Sequence, residues 1–150
     1  MAAEGGFRPS DVLVFARALD LARRAQMVRR APIEAVVLEL MRHRGRSTKL
    51  SVADLALATR RATRRWARWG RGLDTCLIRS LVLGALIADR GRVVLTVGFR
   101  AGDDATVPEG HAWLTLDGRE LGHDDEVAVA DLARLADYPF AVAETQRSGR

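Results

Sequence analysis

The chain has 150 residues, 48% of them apolar and 29% charged, with a formal charge of +5 and one cysteine. That length suits one domain (residues 1–150) with its own core, and the lone Cys76 excludes an intrachain disulfide and any cysteine-cluster metal centre. With only His43, His111 and His123 to help, neither a metal site nor a cofactor is expected.

Met1–Phe7 has no basic stretch leading into a long apolar run, so no targeting signal is expected. Pro9-Ser10-Asp11 reads as a helix start, with Ser10 as cap and Asp11 at the positive end of the helix dipole. From Val12 to about Arg30, the residues Val12, Phe15, Leu19, Ala22 and Val28 recur at helical spacing. Pro32 ends that run and opens a second helix, Ile33–Met41. Arg42–Lys49 reads as a basic loop with His43 at its surface. Ser51-Val52-Ala53-Asp54 resembles a capping box with Asp in the usual Glu position. It opens a third helix that ends near Gly70 and Gly72 and carries Arg60, Arg61, Arg64, Arg65 and Arg68 beside Trp66 and Trp69.

The second half changes character. Asp74-Thr75-Cys76 opens a fourth helix, Leu77 to about Asp89, apolar nearly all round and therefore expected to be buried. After Gly91, Val93–Phe99 reads as a strand and His111–Leu116 as a second. Arg119 onward reads as a third, joined to the second by the two-residue turn Asp117-Gly118. Glu126 to Asp137 reads as a short helix before Pro139. The chain thus divides into a helical, Arg-rich part (1–72) and a part made of one helix and antiparallel strands (73–150).

Charge follows that division. Residues 1–75 carry 16 basic and 7 acidic side chains, and residues 76–150 carry 8 and 12. A basic half fits a polyanion partner or a solvated face, and composition does not choose between them. No uncharged stretch of about 18 residues exists, so no transmembrane helix is expected, and the protein reads as cytoplasmic.

With Asp74 as N-cap, Cys76 falls about two residues into the fourth helix. Free backbone N–H groups and the positive dipole end converge there and favour a thiolate, the nucleophilic form. The same position also suits a buried structural cysteine. His111 weighs for the first reading. It opens the strand His-Ala-Trp-Leu-Thr-Leu, whose alternation puts His111, Trp113 and Thr115 on one face and Ala112, Leu114 and Leu116 on the other. A two-residue turn sets Leu116 opposite Arg119, and pairing continued outward sets His111 opposite Asp124. A carboxylate there orients the imidazole while the other ring nitrogen reaches Cys76. Asp125 takes that place if a bulge shifts the register by one, and His123 points to the other face.

The stretch Cys76-Leu77-Ile78-Arg79-Ser80-Leu81, then Asp89-Arg90-Gly91, Val97-Gly98-Phe99-Arg100, and His111-Ala112-Trp113 with Asp117-Gly118 resembles a known family. It is similar to the stand-alone transglutaminase-like cysteine peptidases of lasso-peptide biosynthesis. The resemblance is dense over residues 73–125 and one of character over the helical half. It implies an α+β papain/transglutaminase-like fold, with a helical N-terminal half followed by a nucleophile helix packed on a small antiparallel sheet. It also implies a Cys76–His111–Asp124 triad that cuts a ribosomally made precursor between leader and core. The run Gly122-His123-Asp124-Asp125 offers two carboxylates for the acidic member. The implied partners are the precursor peptide, a leader-recognition protein and a macrolactam (lasso) cyclase. Neither nucleic acid nor a membrane is expected as a partner.

In such a site His111 takes the thiol proton, Cys76 attacks the scissile carbonyl, and water resolves the acyl-enzyme. The Cys76 backbone N–H is a candidate oxyanion donor, and the Trp69 indole is either a second donor or a packing residue. Trp113 either walls the site or fills core. The arginines at 60–71 read as a solvated face or, if functional, as an attraction for an acidic leader or the recognition partner. Two other readings stay open. One is acyl transfer to an amine by the same triad; the other is a basic non-catalytic module that binds nucleic acid or an acidic protein.

Overall fold

Each helix begins where the sequence supplies a proline or a capping hydroxyl. The computed structural model describes residues 9–28, 30–70, 75–100, 109–121 and 132–141. Its helices are α1 (Pro9–Met27), α2 (Ile33–His43), α3 (Val52–Arg68) and α4 (Cys76–Ile87). The strands are β1 (Val93–Arg100), β2 (Glu109–Leu116), β3 (Arg119–Glu120) and β4 (Ala133–Phe140).

Pro9 is itself the first residue of α1, a position that needs no N–H partner, so Ser10 lies inside the first turn instead of capping it. Pro32 precedes α2, which runs past Met41 to His43. His43 therefore ends a helix instead of sitting in a loop, with Nδ1 3.0 Å from the Glu39 carbonyl. At α3 the Ser51 hydroxyl accepts the Asp54 N–H (3.1 Å) and donates to the Asp54 carboxylate (2.7 Å). Ser51 thus caps the helix, with the Asp54 carboxylate holding its hydroxyl, and such a cap contributes about 1 kcal/mol. The far end of α3 closes through Trp69 N–H to Arg65 C=O and Gly70 N–H to Ala67 C=O.

The apolar helix α4 is the centre of the molecule. It packs against α1, α2 and α3 on one side and against β1 and β2 on the other. Val82, Ala85 and Ile87 are fully buried there, with Leu21 of α1, Leu40 of α2 and Leu55 of α3 from the helical half. Val93 and Leu95 of β1, Ala112 and Leu114 of β2, and Phe140 of β4 supply the sheet side of the same core.

The four strands form one antiparallel sheet in the order β3-β2-β1-β4. The β2–β3 hairpin has the expected register, Leu116 opposite Arg119 and Thr115 opposite Glu120. Its turn residues both have positive φ, 51° at Asp117 and 79° at Gly118, the type I′ geometry that matches strand twist. Asp117 also ties the turn to the α4–β1 connection: its carboxylate accepts the Arg92 N–H (2.8 Å) and its own N–H donates to the Arg92 carbonyl (2.9 Å).

One element departs from the sequence reading. Residues 133–137, assigned to a helix, are the first part of β4, which pairs along β1 from Phe140 opposite Val93 to Ala133 opposite Phe99. The alanines, leucine and arginine of this segment favour a helix locally, but pairing along an otherwise open β1 edge overrides that weak preference. A register shift between Val97 and Gly98 leaves Leu135 unpaired and mostly exposed, which hides the strand's two-residue period. Pro139 is tolerated because β4 is an edge strand. Residues 126–131 of the predicted segment lie outside the described residues.

Behind α4, Asp89 and Arg90 fasten its C-terminal end to the loop before α3. Arg90 donates to the carbonyls of Thr48 and Leu50, the latter at 2.7 Å, and Arg44 lies 3.6 Å from the Asp89 carboxylate. Burial pushes the Asp89 carboxyl up, but the Ser47 hydroxyl, a backbone N–H and the two guanidinium groups outweigh it and hold the group below its ordinary value. No described helix is long and apolar enough to cross a membrane.

Candidate active site

Cys76 is the first residue of α4. The N-cap is Thr75, whose hydroxyl accepts the Ile78 N–H at 3.3 Å, so the helix starts one residue later than the Asp74 cap predicted. Asp74 itself lies outside the described residues. The Thr75 carbonyl accepts the Arg79 N–H at 3.0 Å. Among the described residues the N–H groups of Cys76 and Leu77 are left without an acceptor, two of the orphan donors every helix start carries. The thiol is free and half-buried.

Two contacts locate Cys76 relative to the sheet. The Phe140 ring fills the space over Gly84 where a Cβ would sit, and Phe140 pairs with Val93. One turn earlier, the Ser80 hydroxyl donates to the Ala112 carbonyl at 3.4 Å, and Ala112 pairs with Val97. Moving from Gly84 back to Ser80 along α4 therefore moves from Val93 toward Val97 along β1. Cys76 lies one further turn back, on the same helix face as Ser80, in the direction of the sheet end marked by Phe99 and Gly110. His111 is at that end, opposite Gly98.

The elements carrying Cys76 and His111 therefore meet, but the two side chains start from different faces. Ala112 and Leu114 enter the core under α4, so alternation turns His111 to the opposite face with Trp113 and Thr115, as the sequence predicts. Among the described residues no hydrogen bond joins the Cys76 thiol to the His111 ring. Catalytic hydrogen bonds are often long without substrate and tighten when it binds.

The His111 face is more buried than its polar composition suggests. Trp113 is 3% exposed and stands outside the main core cluster, with its ring lying over Gly98. Beside it Thr96 is fully buried and donates to Asp137 at 2.7 Å, while Arg134 holds both Asp137 oxygens at 3.2 Å. Trp113 thus fills a second buried layer beside His111. Trp69 is 51% exposed at the end of α3, edge-on to Trp66 at 6.2 Å and beneath the Arg65 guanidinium. It packs at the surface.

Ser80 is the residue that the sequence did not single out for a role. A small hydroxyl one turn beyond the cysteine, in a helix otherwise apolar, was the available signal. Asp124, Asp125 and His123 lie outside the described residues.

The family model of the transglutaminase-like superfamily matches residues 15–137, which span α4 and the catalytic candidates Cys76, His111 and Asp124. The chain belongs to the transglutaminase-like superfamily. No curated protein and no solved structure matches it. Its α+β architecture, a helical half followed by α4 packed on an antiparallel sheet, is the papain/transglutaminase-like fold expected of it. The transglutaminase-like superfamily includes thiol-dependent peptidases and acyltransferases, and Cys76 is this member's one cysteine.

Proposed function

We propose that the protein is a cysteine peptidase that removes the leader from a ribosomally made lasso-peptide precursor. The observation that carries this reading is the place of its one cysteine: Cys76 opens α4, beside two N–H groups without an acceptor among the described residues, one turn before the Ser80 that bonds to Ala112 next to His111. In this mechanism His111 takes the thiol proton and Cys76 attacks the carbonyl that joins leader to core. The C–N bond breaks, and the core amine leaves with the proton from His111. Water then attacks the thioester, releasing the leader carboxylate and restoring the thiol. The Cys76 N–H, and the Leu77 N–H beside it, donate to the oxyanion as charge develops there.

Asp124 holds the imidazole, with Asp125 as the alternative. The hairpin register from Leu116–Arg119 to Thr115–Glu120 supports Asp124 as the residue reached by continuing it. The freed core amine is the group a macrolactam cyclase consumes, and a leader-recognition protein presents the precursor. The test is incubation with the precursor peptide and the recognition protein, read by mass spectrometry. The expected products are a leader ending in a free acid and an intact core, with neither formed by Cys76→Ala. A leader joined to an added amine, with no free acid, would establish acyl transfer instead.

A further inference from the structure

The outer face of α3 combines three features that the peptidase mechanism leaves unused. First, Arg61, Arg65 and Arg68 recur at i, i+4 and i+7, all exposed. No carboxylate occurs between residues 55 and 73, so these like charges repel one another along the helix. Elsewhere Asp20, Glu39, Asp89 and Asp137 neutralise neighbouring arginines, whereas these three have no ion pair among the described residues. Second, Arg65 lies 5.4 Å over the exposed ring of Trp69, making a flat cationic platform at the C-terminal end. Third, at the other end a cavity of about 100 Å³ is walled by Val14, Phe15, Leu57 and Ala58, with Arg61 beside it. Asp11, Asp54 and Arg61 also line that cavity, so two carboxylates and one guanidinium group gather at its apolar end, with Arg65 and Arg68 beyond.

We infer that this face docks the leader segment of the substrate, an inference that rests on the peptidase reading. An apolar side chain of the leader enters the cavity, and acidic side chains that follow it pair with Arg61, Arg65 and Arg68. The order is set by charge and by chain reach. Asp11 and Asp54 stand at the cavity end, and Arg65 and Arg68, which have no carboxylate nearby in the helix, at the other. From Leu57 to Arg68 the helix spans roughly 16 Å, the length of about five extended residues. Trp69 is seven residues before Cys76, so the basic end is within about 25 Å of the thiol. A leader that precedes its scissile bond therefore carries the apolar residue first and the acidic residues between it and the cleavage site. The cavity and its two carboxylates favour a peptide over a nucleic acid, which offers neither an apolar anchor nor relief from acidic repulsion.

The test uses the full-length chain and a fluorescein-labelled synthetic peptide, Gly-Leu-Gly-Glu-Gly-Glu-Glu-Gly, with a second peptide carrying Gln for each Glu. Fluorescence anisotropy should show the Glu peptide bound, and bound about tenfold more weakly by Arg61→Glu/Arg65→Glu/Arg68→Glu. Leu57→Asp should weaken it as well. Arg30→Glu/Arg42→Glu/Arg46→Glu, the same charge change at exposed sites elsewhere, should leave binding unchanged. In precursor cleavage the α3 triple variant should raise KM and keep kcat. Equal loss in both triple variants, indifference to Glu→Gln, or tighter binding to duplex DNA would overturn the inference. So would a loss seen only when the recognition protein is present. Peptide binding by Cys76→Ala separates the two readings: a variant that still cleaves sinks the peptidase mechanism while the docking result stands on its own.

Discussion

The Ser80 hydroxyl donates to the Ala112 carbonyl at 3.4 Å, one helical turn from Cys76 and one residue from His111. It sets the height of α4 on the sheet at the end where the proposed chemistry occurs. Ser80→Ala should lower stability by about 1 kcal/mol, the usual net worth of such a bond. If Ser80 positions the thiol, kcat should fall further than that loss accounts for, with KM little changed. Thermal unfolding and cleavage kinetics on the same preparation separate the two effects.

Whether His111 acts on Cys76 is readable without a substrate. Iodoacetamide should label Cys76 more slowly in His111→Ala than in the parent near neutral pH. His43→Ala, a change at the exposed end of α2, should leave the rate unaltered. Equal rates in all three proteins would remove His111 from the mechanism.

The acidic member is decided by comparing Asp124→Asn with Asp125→Asn in the same cleavage assay. Asp124→Asn should lose most of the activity and Asp125→Asn little. The reverse pattern would mean that β3 gains one residue beyond Glu120 and shifts the pairing.

Acid stability depends on two carboxylates outside the site. Burial raises the Asp20 carboxyl, but its bonds to Arg24 and Arg23, at 2.8 and 3.0 Å, hold it below the ordinary value. Asp89 is held down in the same sense by Ser47, Arg44 and Arg90. A lowered folded value means the unfolded chain binds the proton more tightly, so both groups stabilise the fold above about pH 4. That contribution is lost as pH falls through the folded values. Asp89→Asn should flatten the acid limb of a stability–pH curve measured by urea unfolding.

Gly98 sits under Trp113 and against the next strand. A Cβ there would lie 2.6 Å from the Ala133 carbonyl and 3.0 Å from the Trp113 ring. Gly98→Ala should destabilise the protein by about 1–3 kcal/mol, the range for forcing atoms into a filled site. It should also displace the indole beside His111, visible as a change in tryptophan fluorescence.

The helices were legible because their starts are written in side chains that act locally: Pro32, the Ser51–Asp54 box, and a hydroxyl before Cys76. Asp74 and Thr75 are both capping types, and only the backbone at Thr75 decides between them. The hairpin was legible from Asp117-Gly118 for the same reason. β4 was not, because its helical composition is local while its strand state comes from β1, distant in sequence. At the site, a lone cysteine and a histidine on an alternating strand could be singled out from sequence. The burial of Trp113 beside His111 could not, since it depends on Gly98 and Thr96 from the neighbouring strand.

The strand order β3-β2-β1-β4 also dictates when the sheet can be completed. β1 pairs with β2 through a nearby connection, but its other edge stays open until residues 133–140 have been made and have returned to it. Until then β1 presents unpaired N–H and C=O groups beside one of the most apolar helices of the chain, a template for association with other chains. Such distant pairing is slow because a long segment must close before any contact rewards it. β4, the last of the described strands to leave the ribosome, thus guards against aggregation, and its loss would show first as insolubility during synthesis.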